Sequence, residues 1–186
     1  MKQRSFIAVD IPLEVGKRLA TLAAGMRCSA AKPVRHDQMH ITLLFLGDLD
    51  KSLIEGVSEA ISRIDTRQFN VVINGIGVLG ARGPGVVYAR VIGGVSELSR
   101  VSAALKESIS ELGIKTEGRR FLPHVTIARV RNPSMEDAAY INGFAASHSE
   151  DSLGEFVCSE IKLEGSSLGS NGPSYSGIYV KRLAPI

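Results

Sequence analysis

The sequence predicts a mixed α and β domain made of two similar halves, on three observations. A chain of 186 residues with 44% hydrophobic content can bury a core of its own, and its length favours one domain, or two small lobes sharing one core. The order strand, helix, strand, helix, strand runs from about residue 5 to 78 and again from about 86 to 166. In each half, one strand begins with the same interruption of an apolar run, "HITL" at 40–43 and "HVTI" at 124–127.

The elements follow in order. "RSFIAVDI" reads as the opening strand; Asp10 and Pro12 cut its apolar run too early for a secretion signal. Pro12 then opens "PLEVGKRLATLAAGM", where Leu13, Leu19, Leu22 and Met26 fall near helical spacing. The polar connector "RCSAAKPVRHDQ" leads into the first His-bearing strand. In "DKSLIEGVSEAISRI" an apolar stripe of Leu53, Ile54, Val57, Ile61 and Ile64 predicts a helix that Asp50 or Ser52 would cap. "FNVVINGIGVL" and "VVYARVI", separated by the turn-forming "GARGPG", predict a hairpin. Leu98, Val101, Leu105, Ile109 and Leu112 mark the next helix, with Gly113 as its stop. "RRFLPHVTIARV" is the second His-bearing strand and "SMEDAAYINGF" a short helix. "GEFVCSEIKLEGSSL" and "YSGIYVKRL" are late strands joined by "GSNGP".

No stretch approaches the roughly 18 apolar residues of a membrane span, so no membrane partner is expected. Cys28 and Cys158 have no metal-type spacing and suit reduced thiols in a cytoplasm. A net charge of +3 and pI near 9.0 fit a polyanionic partner, although a surplus this small also serves solubility alone.

The duplicated tetrad is the informative feature. With four His and five Thr in the chain, two or more His-x-Thr arrangements arise by chance at roughly 0.4%. Strand alternation puts His40 and Thr42 on one face and Ile41 and Leu43 on the other, and separates His124 and Thr126 from Val125 and Ile127 in the same way. Halves related by a pseudo-twofold axis would face the two pairs across a groove. Two imidazoles on opposite sides of a reacting centre act as general base and general acid near neutral pH. Two hydroxyls donate to non-bridging oxygens. A phosphodiester fits this arrangement, without a metal or other cofactor.

At these residues the sequence resembles the 2H phosphoesterases, and within them the 2'-5' RNA ligase-like RNA 2',3'-cyclic phosphodiesterases. "RSFIAVDIP" resembles the family's opening strand, "MHITLLFLGD" and "FLPHVTIARV" its two signature segments, and "SSLGSNGPSY" its closing segment. The resemblance implies an α+β, bilobal fold in which two antiparallel sheets with outer helices enclose a central groove. It implies His40 as proton donor and His124 as proton acceptor, with Thr42 and Thr126 on the phosphate. Arg129, five residues after the second His, is implied to contact the phosphate too; strand parity puts it opposite His124, so that role needs a bulge or the strand's end. Tyr175 matches the Gly-Pro-x-Tyr position and would line the groove, against the plainer reading of a packing residue. The expected substrate is RNA or an oligonucleotide with a 2',3'-cyclic phosphate end, acted on by a cytoplasmic monomer without cofactor and reversible toward 2'-5' ligation. Alternatives are a phosphodiesterase acting on a small cyclic phosphate and a catalytically silent module that binds RNA ends.

The family's aromatic residue before the first motif is missing from "KPVRHDQ", and Trp is absent altogether. His36 and His40 stand at helical metal-ligand spacing, but the strand after His40 argues against a helix there. His148 reads as a solvated loop residue. "GIGVLGARGPG" lacks the Lys-Ser/Thr of a nucleotide loop. Arg119 and Arg120 read equally as contacts to RNA backbone and as solvated charges.

Overall fold

The computed structural model describes residues 2–80, 85–116, 118, 120–169 and 172–186. Its strands are β1 (Lys2–Asp10), β2 (Ala31–Pro33), β3 (His40–Asp50), β4 (Phe69–Leu79), β5 (Gly85–Gly93), β6 (His124–Val130), β7 (Ser152–Cys158), β8 (Glu160–Gly169) and β9 (Gly172–Arg182). Its helices are α1 (Leu13–Ala24), α2 (Ile54–Ser62), α3 (Val95–Glu111) and α4 (Met135–Ser147). Single 3-10 turns sit at His36–Gln38 and Lys51–Leu53, the latter capped by the Asp50 carboxylate, which accepts from the Ser52 N–H.

The chain is α+β, as expected, but its strands form one nine-stranded sheet rather than two. The order is β7, β4, β5, β6, β3, β1, β8, β9, with β2 beside β6. The order divides into two four-strand runs, β7 to β6 and β3 to β9. They meet where β3 and β6 pair antiparallel at one Cα position, Ile41 opposite Val125. Both residues are fully buried, and one cluster of buried apolar side chains extends under both runs.

Three sequence expectations change. "GEFVCSEIKLEGSSL" is not one strand: it breaks at Ser159 into β7, which pairs with β4, and β8, which pairs with β1 on the far side of the sheet. The connector before the first motif contains β2, paired with β6. The second His-bearing strand starts only at His124, because Pro123 offers no N–H to a ladder. The hairpin of β4 and β5 is present, with Leu79 opposite Val86; residues 81–84 of its turn lie outside the described residues, as does Arg119.

Candidate active site

Each His-bearing strand carries a bulge at the same place in its tetrad. In β3, Ile7 and Ala8 of β1 pair with Leu44 and Thr42, leaving Leu43 unpaired. In β6, Val87 and Tyr88 of β5 pair with Ala128 and Thr126, leaving Ile127 unpaired. A bulge adds one residue and restores the original face one position late. The carbonyls it turns out of the ladder are satisfied elsewhere. Leu43 O accepts from the Ser102 hydroxyl of α3 at 2.7 Å in a buried bond, and Ile127 O accepts from the Val34 N–H at 2.8 Å.

This local geometry decides which side chains share the face of the two histidines. The buried partners Ile41, Leu43, Val125 and Ile127 point into the core, while His40, Thr42, His124 and Thr126 are half-buried on the other face. After the bulge, position five from each His turns outward to that face, as Phe45 in β3 and Arg129 in β6, both exposed. Arg129, which simple alternation would send away from His124, is thus returned beside the histidines, and its charge is felt at His40. Antiparallel pairing of Ile41 with Val125 sets His40 next to Thr126 and Thr42 next to His124.

The two imidazoles are held alike. His40 Nδ1 is 3.0 Å from the Gln38 carbonyl oxygen and His124 Nδ1 is 2.7 Å from that of Leu122. A ring nitrogen facing a carbonyl must carry the proton, so in the neutral form each Nε2 is the free acceptor. Among the described residues, no protein group bonds the Thr42 or Thr126 hydroxyl. Burial lowers the His40 pKa to about 4, helped by the nearby charges of Arg129 and His124 and opposed by the Gln38 carbonyl and Asp10.

Aromatic rings surround the pair. Phe6 stacks on His40 with centroids 4.7 Å apart, and Tyr175 meets His40 edge-on at 5.2 Å and Phe6 at 5.1 Å. Tyr175 therefore lines the cleft beside His40, and Gln38 helps to hold its strand there by donating from Nε2 to the Pro173 carbonyl at 2.6 Å. Tyr88 meets His124 edge-on at 5.2 Å. Its ring lies over Gly77, where an added Cβ would come within 2.5 Å of it, so the glycine is what lets this ring lie flat.

Sequence reasoning missed Phe6, Phe45, Tyr88 and Gln38. Phe45 alone carried a usable signal, its place five residues after His40 matching that of Arg129 after His124. Of the side candidates, His36 lies in a 3-10 turn beside the groove, and among the described residues no three His, Cys, Asp or Glu side chains gather as metal ligands. His148 is not a solvated loop residue: it is half-buried at the end of α4, its Nδ1 2.7 Å from Asp151 Oδ2 and its ring 4.6 Å from that of Phe144. Arg120 is exposed.

Known proteins are similar to this chain along nearly its whole length. The RNA 2',3'-cyclic phosphodiesterase of Archaeoglobus fulgidus is 28% identical over 179 residues, covering 95% of this chain and 98% of the relative. The protein of the same name from Methanocaldococcus jannaschii is 29% identical over 178 residues, covering 94% and 98%. Apo LigT of Escherichia coli shares the fold at a TM-score of 0.80 and 22% identity, covering 98% of both chains. The family model of the 2'-5' RNA ligase superfamily matches residues 12–163, a span that holds both tetrads and the strands that bring them together, and the chain belongs to that superfamily.

Proposed function

We propose that the protein hydrolyses RNA 2',3'-cyclic phosphate ends to 2'-phosphates by two-histidine acid/base catalysis. The observation that carries this reading is the pairing of Ile41 with Val125, which sets two His-x-Thr tetrads side by side, each His presenting Nε2. The names of relatives about 28% identical over nearly the full chain support the substrate.

In this reading, with the halves related by a pseudo-twofold axis about a central groove, the phosphate lies between the histidines. His124 Nε2 takes a proton from water as the water attacks phosphorus. His40 gives one to the departing 3' oxygen on the opposite side. The free hydroxyls of Thr42 and Thr126, and Arg129, bind the non-bridging oxygens. Tyr175 lines the groove on the His40 side. Both proton transfers come from side chains, so the reaction calls for no metal or nucleotide cofactor. With a 5' hydroxyl replacing water, the same groups run backwards to a 2'-5' linkage.

A donor must be charged when the bond breaks, and the unliganded His40 sits near 4. An anionic phosphate about 4 Å away, at an effective dielectric near 20, favours the imidazolium by about 4 kcal/mol, or roughly three pKa units. Substrate entry therefore supplies the field that protonates His40. The monomeric protein is tested with 2',3'-cyclic-phosphate-ended RNA, cyclic mononucleotides and a cyclic ADP-ribose phosphate, all in excess chelator. Hydrolysis of the RNA end supports the reading; turnover of the ADP-ribose derivative alone would move the substrate to a small cyclic phosphate. Binding of the RNA end without turnover would leave only a binding module, and activity that vanishes in chelator and returns with a divalent ion would contradict the metal-free mechanism.

A further inference from the structure

A cleft of about 360 Å³ opens beside His40, and Phe6, Asp10, His36, Glu164 and Tyr175 help to line it. Glu164 is unusual among these. It is only 9% exposed, yet among the described residues it makes no hydrogen bond or ion pair. Neither carboxylate oxygen is sealed from solvent, so the group is directed at the cleft it lines. Lys162, whose charge reaches Glu164, makes its direct contacts elsewhere, with Nζ 2.6 Å from Asp10 Oδ2 and 3.7 Å from Glu160 Oε2. Asp37, at the cleft's rim, is held by Arg35 at 2.7 Å. Opposite Glu164 in β9 stands Gly177; a Cβ there would lie 3.9 Å from Glu164 Oε1, so the glycine keeps the approach to the carboxylate open.

An unpaired buried carboxylate costs stability unless a ligand completes it. Ionised, it offers two coplanar acceptors and no donor. Among the four bases only guanine presents two adjacent N–H donors, N1–H and the N2 amino group, to match. Adenine and cytosine place one donor group beside an acceptor, and uracil flanks one N–H with two carbonyls. If His40 protonates the 3' oxygen, the nucleoside lies on the His40 side of the phosphate, which is where this cleft and its aromatic walls, Phe6 and Tyr175, are found.

We propose that Glu164 reads guanine: its two oxygens accept from N1–H and N2–H of the terminal base, so the protein prefers cyclic phosphate ends borne by guanosine. The proposal rests on the phosphodiesterase reading for the position of the nucleoside. Binding tests it apart from turnover. The four nucleoside 2'-phosphates are titrated calorimetrically into the full chain, into Glu164→Gln and into Gly177→Val. The wild type should bind guanosine 2'-phosphate about tenfold or more tighter than the other three. Glu164→Gln should bring that affinity to the level of the others. Burial holds the Glu164 carboxyl above its ordinary range, so removing its charge spares the fold. Gly177→Val, which crowds the cleft without changing charge, should weaken guanosine 2'-phosphate as well. Equal affinity for all four bases, no binding of any, or a preference that survives Glu164→Gln would overturn the proposal. Hydrolysis of the matching cyclic nucleotides, measured on the same samples, separates the two readings: turnover without base preference sinks guanine recognition alone, and guanine preference without turnover sinks the activity alone.

Discussion

His40 titrates at about 4 in the folded chain and near 6.5 once unfolded, so between those pH values the unfolded chain binds the extra proton. Stability contributed by the neutral ring is complete above about 6.5 and is lost as pH falls toward about 4. The full difference corresponds to at most about 3 kcal/mol, and the half-buried ring's contact with water reduces it. Urea midpoints at pH 7 and pH 4.5 should show a smaller acid loss in His40→Gln than in wild type; identical losses would contradict the burial of a neutral imidazole. At the same scale, Thr42→Val and Thr126→Val remove hydroxyls that no protein group uses. Each should lower kcat by 10²–10³-fold, in line with the loss of one transition-state donor, and leave Tm unchanged. A lowered Tm with intact turnover would make these hydroxyls structural.

Between residue and fold, the bulges at Leu43 and Ile127 explain how much of the groove was legible. The tetrads stood out because strand period sets His and Thr on one face whatever the partner strand. Strand parity alone sends Arg129 away from His124, and only the extra residue, visible in the pairing with β5, returns it to the face of the histidines. Phe6, Tyr88 and Gln38 reach the histidines from other strands and from a 3-10 turn, so nothing in their local sequence marks them. The strand break at Ser159 was hidden for a related reason: β7 and β8 are continuous in hydrophobicity but pair at opposite sides of the sheet. Two substitutions test these supports. Ser102→Ala strips the buried Leu43 carbonyl of its donor and should cost about 1–3 kcal/mol in stability, read from denaturant unfolding; an unchanged midpoint would mean water replaces the hydroxyl. Gly77→Ala pushes the Tyr88 ring off β4 and should lower turnover, whereas in a Tyr88→Ala background it should add almost nothing. An equal loss in both backgrounds would place the effect in the backbone of β4 rather than in the ring beside His124.

Across the whole molecule, the chain crosses between the two four-strand runs more than once. β1 and β3 belong to one run, β4 to β7 to the other, and β8 and β9 return to the first. Neither run is a continuous stretch of sequence, and one buried cluster underlies both. Far-ultraviolet and tyrosine signals should therefore lose structure at one denaturant midpoint; two separated transitions would show that the runs fold independently. The same crossing positions the two tetrads, since it makes β3 and β6 the innermost neighbours of the sheet order. In the proposed mechanism acid and base act as a unit, so His40→Ala and His124→Ala should each cost on the order of 10²-fold or more, and the double variant little beyond the worse single. The pH profile of kcat/KM should be a bell belonging to the coupled pair, its acid limb drawn low by His40. The most direct measurement is phosphorus NMR of a dinucleotide bearing a 2',3'-cyclic phosphate, incubated in chelator with wild type and each single His variant. The two-histidine mechanism predicts a 2'-phosphomonoester from wild type and near-complete loss of product from both variants. A predominant 3'-phosphate would overturn the donor and acceptor assignment, and near wild-type turnover by either variant would contradict the mechanism itself.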